Sequence, residues 1–167
     1  MSCNCQSYPP LPLDRKAILK RIKESSALKK RLEVVAEDQQ LSIALFQCPV
    51  CGEMWQSGRE WNLANAEYLF RVPKITAADW HEEHFQQPAA MMIYTASMAA
   101  FYARAPMTAS LEICRVEGCQ ERALTVGPLC ERHHIESLQN NRLLSKPPRG
   151  RLFSPYFEEP TRRKINS

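Results

Sequence analysis

Seven cysteines and four histidines are the residues of this chain best suited to chemistry. Three of the cysteines share residues 114–134 with two histidines, in the pattern Cys114-x4-Cys119-x10-Cys130-x2-His133-His134. Zinc takes four thiolate or imidazole donors at the corners of a tetrahedron, at about 2.0–2.3 Å. Gly118, just before Cys119, makes an unusual φ easy for the turn between the first two thiols. Gly127-Pro128 then turns the chain so that Cys130 opens a helix. On a helix both i+3 and i+4 return to the same face, so His133 and His134 are both within reach. The tighter Cys-x2-His pairing favours His133. Four protein ligands close the coordination sphere, which argues for a structural rather than a catalytic ion.

The second constellation is Cys48-Pro49-Val50-Cys51-Gly52, where the glycine lets backbone amides turn toward the thiolates. A lone Cys-x2-Cys is half a site. Cys3 and Cys5 would complete a four-thiolate set and balance the thiol count. The alternative partners are His81 and His84, spaced i, i+3 on a helix. A redox role would need the motif to open a helix after a strand, whereas here a hairpin continues. Thiolates alone also admit iron. The run His81-Glu82-Glu83-His84 is not a metalloprotease motif, because its second histidine comes one residue too soon. A solvated helix face accounts for it.

Several elements must position these ligands. Residues 1–12 read as an extended lead-in carrying two thiols. Asp14 is placed to cap a helix, with Leu13 and Ile18 as its hydrophobic staple. Ile18 and Ile22 share one face, and Leu28, Leu32 and Val35 another, which predicts a bend or a new helix near Ser25-Ser26. Residues 41–47 and 53–56 read as strands on either side of the Cys48–Cys51 knuckle. Ser57-Gly58 then reads as a turn flanked by Trp55 and Trp61. Residues 67–72 form a third strand, stopped by Pro73. Thr76 and Asp79 predict a capped short helix. Pro88 suits the first turn of a helix reaching Arg104. Met91, Tyr94, Met98, Phe101 and Tyr102 recur at helical spacing there and mark a buried hub. A last helix is expected over residues 130–143, followed by an extended tail.

The class expected is therefore α+β. A small antiparallel sheet with a zinc ribbon packs on a central apolar helix, and a C-terminal zinc knuckle and helix follow. The division expected is residues 1–110 and 111–167, with two structural zinc ions bound by Cys3, Cys5, Cys48 and Cys51 and by Cys114, Cys119, Cys130 and His133. The start of the sequence has no apolar stretch resembling a signal peptide, and the most apolar run, residues 88–105, falls short of the ~20 residues a membrane span needs. The location expected is cytoplasmic, where clustered cysteines bind metal more often than they form disulfides.

The formal charge of +4 is unevenly spread. Residues 15–31 carry eight basic side chains against Glu24, residues 52–88 are slightly acidic, and residues 142–167 are basic again.

The block C-R-V-E-G-C…G-P-L-C-E-R-H-H resembles small treble-clef-like zinc knuckles of phage and bacterial proteins, some attached to HNH nucleases. The block C-P-V-C-G-x-x-W-Q looks like half of a zinc ribbon. Together they are similar to bacterial proteins suspected of being immunity partners of polymorphic toxins. A nuclease of that kind would need an Asp-His or His-His pair on a strand facing an open metal, and His133-His134 instead follow Cys130 on a helix. The closed ligand sets and the absence of a nucleophile–base pair or phosphate loop point to a non-enzymatic protein-binding module, and the resemblance implies a basic toxin domain as its partner. The acidic middle and the aromatics Trp55, Trp61, Tyr68 and Trp80 would meet it, with core packing the other reading, expected for at least two of the four. The alternative is nucleic-acid binding through the basic N-terminal helix and C-terminal tail.

Overall fold

A computed structural model of the chain describes residues 3–60 and 65–156. Its contacts divide the chain into two units, Met1–Met92 with Pro148–Ser167, and Ile93–Pro147. The boundary expected between residues 110 and 111 falls inside the second unit.

In the first unit, helix α1 spans Arg15–Lys29. It starts where the Asp14 carboxylate accepts from the amides of Lys16 (2.9 Å) and Ala17 (3.2 Å), which have no partner within the helix. The helix runs unbroken through Ser25-Ser26, so the expected bend is absent. Its buried residues, Ile18, Arg21, Ser25 and Leu28, form one continuous stripe at helical spacing. Two of the four are polar, and this split the apolar pattern in two.

The sheet explains why they are polar. It is antiparallel, in the order β1 (Glu33–Asp38), β2 (Ile43–Gln47), β3 (Met54–Glu60), β4 (Ala66–Val72). β4 has a free edge, and α1 lies along it. Arg21 Nη1 donates to the Leu69 carbonyl at 3.1 Å, and Ser25 Oγ accepts from the Leu69 amide at 2.8 Å. The helix thereby satisfies edge groups that a strand would otherwise leave unpaired. Ile18 and Leu28, on either side, feed opposite faces of the sheet.

Both faces are buried, and the alternation of β-strand side chains sorts the core into two layers. Met54, Tyr68, Phe70 and Val72 pack with Trp80, Phe85 and Phe153 on one face. Trp55 and Leu69 pack with Phe46, Cys5 and Cys48 on the other. Trp55, Tyr68 and Trp80 are thus core residues, as the packing reading of these aromatics has it, and do not form an exposed binding face; Trp61 lies outside the described residues.

The sheet has one strand more than the sequence suggested, and β3 continues straight through Ser57-Gly58 instead of turning there. Ser57 Oγ accepts from the Ala44 amide at 2.7 Å, and Gly58 leaves room for the Tyr68 ring across the strand pair.

Helix α2, Ala77–Glu82, is capped by Thr76, whose Oγ1 accepts from the Asp79 amide at 3.1 Å. Buried Gln56 locks the next segment to β3. Its Oε1 accepts from Trp80 Nε1 (2.8 Å) and the Phe85 amide (3.1 Å), while its Nε2 donates to the Phe85 carbonyl (2.9 Å). The returning tail bonds to His84 and Gln86 through the Arg151 backbone and inserts Phe153 against Phe70 and Phe85. Helix α3, Pro88–Arg104, carries the chain into the second unit. Its buried set narrows to Pro88, Ala89 and Met91. Tyr94, Met98 and Phe101 are half-buried and Tyr102 is exposed, so the sheet rather than the helix holds the most buried residues of the first unit.

The second unit adds a hairpin the sequence did not announce, β5 (Ala109–Ile113) with β6 (Arg122–Leu124), and helix α4 (Glu131–Asn140). Its fully buried apolar residues are few, Ala123 and Leu124 beside Cys114 and Cys130, and α4 buries none. Among the described residues no helix is long and apolar enough to cross a membrane.

Candidate metal centres

The first centre begins as a tight turn between β2 and β3. The Cys48 amide donates to the Glu53 carbonyl and the Gly52 amide to the Cys48 carbonyl, both at 2.9 Å. Gly52 takes φ +73°, the left-handed conformation that its lack of a Cβ permits. Cys5 lies buried in a short 3-10 turn, Cys5–Ser7.

Two arginines draw that N-terminal segment onto the knuckle. Arg71, from β4, donates through Nη2 to the carbonyls of Cys5 and Tyr8, and its Nε lies 3.4 Å from Glu53 Oε2. Arg21, from α1, donates through Nη2 to the Pro9 carbonyl at 3.0 Å. Both guanidinium groups also sit within 6 Å of the Trp55 ring, a distance at which a cation is attracted to an aromatic face. The thiols of Cys3, Cys5, Cys48 and Cys51 end within 4.8 Å of one another.

His81 and His84 are not part of this group. His81 is exposed on α2. The His84 ring packs edge-on against Trp80 at 4.3 Å, and its Nε2 lies 3.4 Å from Asp38. Burial lowers the pKa of His84, against the opposing pull of Asp38. The alternative ligand set weighed from the sequence is therefore not assembled.

The second centre is built by the β5–β6 hairpin and the start of α4. Cys114 follows β5, and its amide donates to the Glu121 carbonyl at 2.9 Å. Gly118 takes φ +76° in the turn that returns the chain to Cys119. The Leu124 amide bonds to the Leu129 carbonyl (2.8 Å), folding the chain back so that Cys130 becomes the N-cap of α4. His133 then lies in the first turn. Its Nδ1 stands 3.2 Å from Cys114 Sγ and 3.4 Å from Cys130 Sγ, and Cys119 Sγ is 3.9 Å from Cys130 Sγ. Tetrahedral zinc at ordinary bond lengths places sulfur pairs about 3.8 Å apart and sulfur–nitrogen pairs about 3.6 Å apart. The donor set fits that figure. His134 lies outside the group.

Each cluster holds one thiol that ionises easily and at least one that resists. Burial pushes Cys48 up, but the backbone amides of Cys51 and Val50 outweigh it and bring the thiol down to about 7. Burial likewise opposes the amides of Cys130 and Val116 at Cys114, which still falls to about 6. Cys5 is raised, first by burial and then by its thiol neighbours. Cys130 is raised to about 11, again by burial first. Crowded thiols that cannot all ionise unaided are what a bound cation relieves. All seven cysteines are free of disulfides. The two clusters, one of four cysteines and one of three cysteines and a histidine, are compatible with two metal ions.

No protein-family model, curated protein or solved structure matches this chain. The positioning arginines, Arg21 and Arg71, were missed in the sequence. Only Arg21 carried a signal, as a charged residue between Ile18 and Leu28 on a core-facing stripe; Arg71 shares its strand face with Glu67 and Leu69.

Proposed function

We propose that this chain is a non-enzymatic protein-binding module held in shape by two structural zinc ions. The observation that carries the reading is the closure of both ligand sets. Each offers four donors from the chain itself, which fills a tetrahedron and leaves no position for substrate or water. The imidazole among three thiolates in the second set suits zinc, a borderline-soft ion.

A binding role draws support from the second unit's hairpin. Leu111 is 89% exposed, and Ile113, two residues along the same strand, is also open to solvent. Exposed apolar side chains gathered on one small element suit a protein partner. In its most specific form the reading makes the chain an immunity protein that neutralises a basic toxin domain. The exposed Asp79, Glu82 and Glu83 of α2 and its C-cap supply the acidic charge for that.

Elemental analysis of the purified chain tests the metal part. Two zinc ions per chain are expected, falling to about one in Cys48→Ser and about one in Cys114→Ser. Iron, or an ion carrying an exchangeable water, would overturn it. Co-purification from native lysate tests the binding part. A partner retained by the intact chain and lost from Leu111→Asp/Ile113→Asp is expected; repeated purification without any partner would remove the reading.

A further inference from the structure

Helix α1 buries one stripe, and its opposite face is nearly all cation. Lys16, Lys20, Lys23 and Lys30 follow one another at intervals of four, three and seven residues, so they line a single face. All four are exposed. At 1.5 Å of rise per residue the ladder is about 21 Å long. Among the described residues only Lys20 meets an acid, Glu24 at 3.8 Å, and its side chain is still 79% exposed. Four cations of the basic run do not belong to the ladder, and Arg15 and Arg31 are the exposed pair at its two ends. Arg21 is consumed by the sheet edge, and Lys29 turns aside to Glu67 at 2.8 Å.

We propose that this face of α1 binds the phosphodiester backbone of a nucleic-acid duplex, without regard to base sequence. The ladder is straight and rigid because the helix is stapled to β4 on its other side. Its steps of about 4.5 to 10.5 Å follow from the helical rise and exceed the ~3.4 Å of axis per phosphate of one strand, so each lysine can meet a different phosphate. Lysine presents a compact point charge, suited to phosphate contact and not to reading base edges. Beside the lysines on this face, Ser26 and Ala27 are small, and the one large apolar side chain, Leu19 at its margin, is half-buried. A lipid surface would call for such side chains to insert, and a protein partner would call for one as an anchor. This inference does not depend on zinc, and it adds a partner class the first reading does not name.

The test is fluorescence anisotropy of the full-length protein with a labelled 20-base-pair duplex, between 50 and 200 mM salt. Four phosphate contacts predict a log–log salt slope of about −4, which over that range is a loss on the order of a few hundredfold. The triple variant Lys16→Ala/Lys20→Ala/Lys23→Ala should make the slope shallower by about 3. Alanine is at least as good a helix former as lysine and these positions are exposed, so folding should be unchanged, as circular dichroism would show. Lys29→Ala should leave the slope as it is. No binding at 50 mM salt, or binding indifferent to the triple variant, would overturn the proposal. So would tighter, variant-sensitive binding to phosphatidylserine vesicles or to polyglutamate, which would hand the face to a membrane or to an acidic protein. Zinc content is measured alongside; it should not change in these variants, so failure here and failure of the zinc reading are separable.

Discussion

Replacing Cys114 by serine should unfold the second unit while leaving the first folded. The magnitude comes from what each unit buries. The first unit has two apolar layers on a central sheet, with Trp55, Tyr68, Phe70 and Trp80 fully enclosed. The second buries little beyond Ala123, Leu124 and its own ligands. A fully buried leucine contributes about 1.5–3 kcal/mol. A structural zinc in a small domain contributes about 10–16 kcal/mol of apparent binding free energy, which is also folding free energy where the apo unit has no core of its own. The ion therefore outweighs the apolar burial several-fold, and losing one thiolate should leave the unit without enough to hold it.

The two units can be followed separately. All three tryptophans, Trp55, Trp61 and Trp80, precede residue 93 and so report the first unit alone. In Cys114→Ser the tryptophan emission should stay native, metal content should fall from two ions to about one, and trypsin should cut rapidly after Arg115, Arg122 and Arg132. Continued protection at those arginines with the metal gone would refute the reasoning, because apolar packing would then suffice. A tryptophan shift in step with the cleavage would refute the independence of the units.

Three further outcomes follow from single features. Gln56→Leu strands Trp80 Nε1 and both backbone groups of Phe85 in the core, so a loss of about 3 kcal/mol or more is expected in urea unfolding monitored by tryptophan emission. Gly58→Ala would place a Cβ 2.9 Å from Tyr68 Cζ, and the displaced Tyr68 hydroxyl would release the Ala89 amide, with an expected cost of about 1–3 kcal/mol in the same assay. Zinc binding to the second centre at pH 7 should release at least one proton. Cys130, raised to about 11, is protonated there and must ionise to ligate, whereas Cys114, at about 6, already has. Calorimetry in buffers of different ionisation enthalpy reads the number, and affinity should weaken as pH falls.

Much of the site was legible because the cysteines were spaced as ligands and their glycines as turns. Gly52 and Gly118 both take the left-handed φ their positions suggested. The caps at Asp14 and Thr76 were legible for the same reason, since short polar side chains before an amphipathic run have a defined local task. What escaped was set by distant partners. β1 reads poorly because Val34 and Val35 are adjacent and both exposed, so no alternation shows. β5 is exposed along nearly its whole length. Ser57-Gly58 has turn chemistry, but Ala44 and Tyr68 on the neighbouring strands use those residues within a strand. Arg21 was hidden among the cations of the basic run, and Arg71 shares its strand face with Glu67, so residue type alone did not mark which cation faces a carbonyl.

The sealing of β4 by α1 leaves the sheet with one side on which it can grow. β1 pairs only with β2 among the described residues and carries the exposed valines Val34 and Val35. An edge of that kind is where self-association through strand addition starts. Two devices stand against it. The register slips between Val34 and Ala36, which breaks the flat ladder a second chain would need. Glu33, Glu37 and Asp38 place three carboxylates along the strand, so a second copy approaching this edge would bring like charge against like. Neutralising those acids by substitution would therefore open an edge along which the first unit can aggregate.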